Sequence, residues 1–100
     1  MTDTERLELA AKAAGYSFDG YVLRNNNTEF EYSGWNPLED DGDAFRLAVS
    51  LGLTVVVETD MVFCRNQRSD KVFREQSKDR CASTRKAIVR AAAEIGKTMK

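Results

Sequence analysis

Four acids fall within five positions, Glu39, Asp40, Asp41 and Asp43, with Gly42 among them. Hard cations such as Mg²⁺ or Ca²⁺ need several oxygens at close range, which makes Asp40, Asp41 and Asp43 the metal candidates of the chain. Their spacing does not match the EF-hand loop, whose ligands spread over twelve residues. The acids also stand directly before an amphipathic run. A carboxylate there accepts a backbone N–H at the helix start, worth about 0.5–2 kcal/mol. It also opposes the positive helix end, for a further ~0.3–1 kcal/mol. Capping is the expected role, and no metal is expected.

Trp35 and Asn36 precede that run. An indole can stack on a flat ligand, or close the edge of a core with its N–H partnered. Asn36 stands before Pro37, which forces it out of helical geometry. On the last helical stretch Lys86, Arg90 and Lys97 share one face, with Arg85 beside them. Such a stripe could meet phosphates, extended by Arg65, Arg68, Lys71 and Arg74. A solvated charged face is the alternative.

Catalytic chemistry finds little footing. The chain has no histidine, so the commonest general base near neutral pH is missing. Cys64 and Cys81 fit no metal or redox spacing and are read as reduced. There is no Walker loop or G-x-G-x-x-G. Glu29 and Glu31 could pair as carboxylates, but alternating acids on a solvated strand face explain them. The chain is expected not to be an enzyme and to need no cofactor.

The elements that hold these residues follow from period. Leu7, Ala10, Ala11 and Ala14 form an apolar helical face after a Thr2 or Asp3 cap, with Gly15 behind it. Residues 21–24 and 29–32 read as a hairpin, with Phe30 and Tyr32 inward. Ala44, Leu47, Ala48 and Leu51 mark a second helix ended by Gly52. Residues 53–58 and 61–65 are strands joined too tightly for a crossover, hence antiparallel. Residues 71–75 are a further strand. Ile88, Ala91, Ala92 and Ile95 mark a last helix from near Ala82, loosened at Gly96. The expected fold is one α+β domain over residues 1–100. An antiparallel sheet of four to five strands carries three helices in an α-β-α sandwich-like arrangement.

Charge is divided along the chain. Residues 1–60 hold twelve acids and four bases, whereas residues 61–100 hold eleven bases and four acids, for a total of −1. The halves are expected to complement each other within one fold, with a basic binding surface as the alternative.

The segment Trp35-Asn36-Pro37-Leu38-Glu39-Asp40-Asp41-Gly42-Asp43-Ala44-Phe45-Arg46-Leu47-Ala48-Val49, continuing to Leu53, resembles the signature of the phage ABA-sandwich domain family. The weaker alanine-rich motifs at 10–16 and 84–95 extend the resemblance over most of the chain, leaving 58–80 without a motif. It implies helices on both sheet faces and a phage or prophage origin. It implies no reaction, because the family has no established activity. The resulting expectation is a cytoplasmic accessory protein of the host cell, without a membrane span or secretory leader, acting by binding. Its partner would be a host protein to mask or a small ligand to sequester. The alternative is a nucleic-acid-binding regulator using the basic half. A monomer or a homodimer is expected, the latter through an edge strand such as 71–75.

Overall fold

The computed structural model describes residues 1–25, 27–67, 71–76 and 78–99. The turn residue Asn26 and the loop residues Arg68, Ser69 and Asp70 lie outside it.

Thr2 starts α1 (Asp3–Ala13) with a reciprocal capping box. Its hydroxyl accepts the Glu5 N–H at 3.1 Å, and the Glu5 carboxylate accepts the Thr2 N–H. Two short strands follow, β1 (Ser17–Phe18) and β2 (Val22–Arg24), then β3 (Glu31–Ser33). Asp19 shapes the bend between β1 and β2 by accepting the Tyr21 and Val22 N–H groups at 3.0 and 2.8 Å. Helix α2 spans Asp41–Leu51 and closes on Gly52, whose φ of 62° is the left-handed value glycine adopts without strain. Strands β4 (Thr54–Val57), β5 (Val62–Asn66) and β6 (Lys71–Glu75) come next. Helix α3 (Arg80–Thr98) begins at Asp79, which accepts the Ala82 N–H.

The single sheet expected from sequence is replaced by two separate three-stranded antiparallel sheets, ordered β1-β2-β3 and β4-β5-β6. Each hairpin completes itself locally. Ser17 and Phe18 pair with Arg24 and Leu23, while Lys71–Glu75 pairs with β5. Helix α2 borders an opening on each side, one walled by β2–β3 residues and the other by β4. An element that is apolar toward both sheets takes the place of strand-to-strand continuity.

Helix α3 is the hub, packed on α1, on α2 and on one face of the β4–β6 sheet. The alanine faces serve helix-to-helix approach as much as helix-to-sheet approach. Ala10 and Ala11 of α1 and Ala87, Ala91 and Ala92 of α3 are fully buried. Gly96 does not loosen α3: the helix runs on to Thr98, and a Cβ at Gly96 would lie 1.9 Å from the Leu9 carbonyl oxygen. The other face of the second sheet, carrying Val56, Phe63, Arg65, Val72 and Arg74, has no helix on it among the described residues. The sandwich with helices on both faces is therefore not formed.

Candidate functional site

The segment from Trp35 to Asp43 is built around one carboxylate. Asp40 caps α2, its Oδ2 accepting the Asp43 N–H at 2.8 Å. That places Asp43 in the first turn, facing inward and 1% exposed. Its Oδ2 accepts the Asn36 N–H at 2.9 Å, and its Oδ1 accepts from Arg46 Nη2 at 2.7 Å. Asn36 Oδ1 in turn accepts the Leu38 N–H at 3.0 Å. The charge of Asp43, and then its hydrogen bond to the phenol, raise the Tyr32 pKa, so Tyr32 stays protonated well past neutrality. Asp43 therefore orients a turn, a guanidinium and a phenol together.

Above this carboxylate lies a cleft of about 390 Å³. Tyr16, Phe30, Tyr32, Trp35 and Phe45 contribute rings, and Leu23 and Leu47 line it further. Tyr16 and Phe30 meet with centroids 5.7 Å apart. Trp35 is held edge-on by Phe18 at 5.2 Å and is nearly buried, so the core fixes the indole while the cleft uses its border. Arg46 spends one nitrogen on Asp43 and keeps the rest of an exposed guanidinium for the cleft. Phe30 and Tyr32 do not sink into the core as their alternation suggests. They remain partly exposed as walls.

A second groove, about 610 Å³, runs on the other side of α2 between β4 and α3. It is the larger and mainly apolar, with Val55, Val57, Ala44, Ala48, Leu53 and Ile88; of its polar lining, Asp41 and Arg85 are paired with each other, the Thr84 hydroxyl donates to the Arg80 carbonyl, and the Arg80 side chain and Cys81 complete it. Specific recognition needs apolar area with a few placed polar groups. The smaller cleft combines five rings with an arginine fixed by the buried Asp43, a geometry suited to a flat ligand that the larger groove does not repeat.

The residues singled out from sequence separate into three groups. Trp35 lines the cleft; Asn36 is not part of its lining and touches it only through the N–H that Asp43 accepts. Arg85 is taken by structure: its Nε donates to the Leu38 carbonyl at 2.8 Å, and its guanidinium pairs with Asp41. Lys86 and Arg90 both pair with Glu75 of β6, and Arg90 also stacks 5.2 Å from the Phe73 centroid. The exposed Lys97 has no ion pair among the described residues. The stripe is thus largely neutralised by the strand it packs against.

The acids are likewise committed, Asp40 to the cap, Asp41 to Arg85 and Asp43 to Arg46. Among the described residues no group of three or more His, Cys, Asp or Glu side chains could hold a metal ion. Cys64 is buried, and desolvation pushes its thiol up to about 11.

Sequence reading missed Tyr16, Phe30, Tyr32, Phe45 and Arg46 as site residues. A signal existed for one wall. Phe45 and Val49 are apolar at i and i+4 but off the Ala44–Leu47–Ala48–Leu51 face, so they form a second stripe on α2. No protein-family model, curated protein or solved structure matches this chain. Among the described residues no helix is long and apolar enough to cross a membrane.

Proposed function

We propose that the chain is a phage or prophage accessory protein that acts by binding, sequestering a small planar molecule in the aromatic cleft beside α2. The observation that carries this reading is five rings around about 390 Å³, bordered by an arginine held in place by a buried carboxylate. Rings supply apolar contact on flat faces. The remaining Arg46 donors suit a carboxylate or phosphate on the ligand's edge. The phage origin rests on the Trp35–Leu53 signature, which contributes Trp35, Asp43, Arg46 and Leu47 to the cleft. Sequestration is favoured over masking of a host protein because this polar geometry lies inside a concavity.

Thermal unfolding with 4-hydroxybenzoate, nicotinate and adenosine monophosphate tests the reading, since a ligand that binds only the folded chain raises its midpoint. At least one probe raises Tm, and Arg46→Ala weakens that probe roughly tenfold, the loss of one charge-assisted hydrogen bond. A flat response to all three, or a shift that Arg46→Ala leaves intact, rejects it.

A second reading, nucleic-acid binding, is favoured by one observation away from α3. Arg65 and Arg74 are diagonal neighbours on the uncovered face of the second sheet, and Arg74 lies 5.2 Å from the Phe63 centroid. No acid of β4, β5 or β6 shares that face among the described residues. Backbone-tracking charge beside an aromatic side chain is how single strands are held. This reading predicts salt-sensitive single-strand binding that Arg65→Glu with Arg74→Glu abolishes. Unchanged affinity in that variant removes it.

A further inference from the structure

The second sheet has two edges of unlike character. Edge β6 carries Lys71, Arg74 and Glu75, the charges that keep a strand from recruiting another. Edge β4, Thr-Val-Val-Val, has no charge and no proline. Its tight turn is closed by the Glu58 N–H donating to the Met61 carbonyl at 2.9 Å. Paired backbone groups alternate from there, so Val56 and Thr54 bond to β5 while Val55 and Val57 aim theirs at the open edge. Val55 and Val57 also line the 610 Å³ groove. A strand added to β4 would place alternate side chains over that groove, on Ala44 and Ala48 of α2 and Ile88 of α3. The groove is the space beneath a missing strand. Around it Phe45 is 69% exposed, Val49 64% and Val57 51%, a concentration of apolar surface that a solvated monomer rarely keeps.

We infer that the occupant is a second copy of this chain, joined antiparallel through β4 to give one six-stranded sheet per dimer. The strand is complementary to itself. With Val56 on the two-fold axis, Val55 faces the partner's Val57, and their outward N–H and C=O groups satisfy each other. Thr54 then faces the partner's Glu58, and no like charges stand opposite. Face is preserved by that axis, so the partner's Val55 and Val57 enter the groove as two more apolar side chains. Other proteins with an extended apolar segment could use the same edge, but none brings this match by default.

The test needs no ligand: light scattering of the purified chain across a wide micromolar range, with amide exchange read residue by residue. The expected mass is twice the 11.2 kDa of one chain. The Val55 and Val57 amides are protected in the dimer and exchange at least roughly tenfold faster on dilution to monomer. Val57→Lys, at a half-exposed position, yields a folded monomer. Val56→Lys, on the uncovered face and outside the cleft, sets two like charges opposite each other at the two-fold axis, weakens the dimer and serves as the second variant if Val57→Lys does not fold. A single-chain mass throughout, or a dimer in which the Val55 and Val57 amides exchange freely, overturns the inference. A partner protein on this edge with no self-association would do so as well. Loss of the dimer leaves Tyr32, Trp35 and Arg46 in place, so this result and the ligand result stand or fall separately.

Discussion

Asp43 is the residue on which the cleft depends, because one buried carboxylate serves the Asn36 N–H, Arg46 and the Tyr32 phenol. Asp43→Ala strands a buried N–H and frees the guanidinium. It should cost about 2 kcal/mol in urea unfolding followed by the fluorescence of the single tryptophan, Trp35. A loss near zero would show that the cluster is incidental. Asp19 gives a pH signature. Hydrogen bonds from the Val22 and Tyr21 N–H groups, then from Arg24, lower its pKa from 3.8 to about 2. A depressed folded-state pKa stabilises above the unfolded value and is lost as pH falls through the folded one. The stability advantage of the wild type over Asp19→Asn should therefore be full above pH ~4 and vanish near pH ~2. An advantage that persists unchanged at pH ~2 contradicts the assignment. At this scale the sequence was informative where chemistry is local. The cap acids and the Asn36–Pro37 turn follow from neighbours in the chain. Tyr16 and Phe30, both outside the regular elements, reach one cleft with Arg46 of α2, and no local pattern announces that.

Elements were legible wherever a period could be counted. The three helices, the tight β4–β5 hairpin and the 71–75 strand stand where apolar spacing and turn residues put them. Ser17–Phe18 is two residues long, too short to show alternation, yet it completes the first sheet and so decides the topology. Gly96 was misread because a glycine near a helix end resembles a stop signal. Its reason is the neighbouring helix, which sequence does not place. Gly96→Ala drives a Cβ into the Leu9 backbone, which cannot rotate away as a side chain would. It should cost about 3 kcal/mol. The matching fall in Tm is ~12–24 °C in calorimetry. A change under ~1 kcal/mol would mean that α1 and α3 separate easily, against the close packing described.

Across the whole molecule, the halves of opposite charge are not zipped together. Among the described residues one ion pair, Arg85–Asp41, joins them, and the other six lie within a half. The charged lining of the cleft is the Asp43–Arg46 pair, whereas the uncovered sheet face carries Arg65 and Arg74, so the two functional readings rest on different parts of the fold. Helix α2 separates the cleft from the larger groove, offering rings and a fixed arginine on one side and mainly apolar surface on the other. On the proposed function, the cleft side holds a small molecule. The most direct measurement is mass spectrometry of small molecules released by denaturing the protein after gentle purification from a bacterial host, beside Ser50→Trp. Ser50 is an exposed residue of the cleft lining, so an indole there fills the opening without disturbing the core. One planar aromatic compound, near one per chain, is expected from the wild type and none from Ser50→Trp. An empty wild type, or the same compound in both, would contradict it.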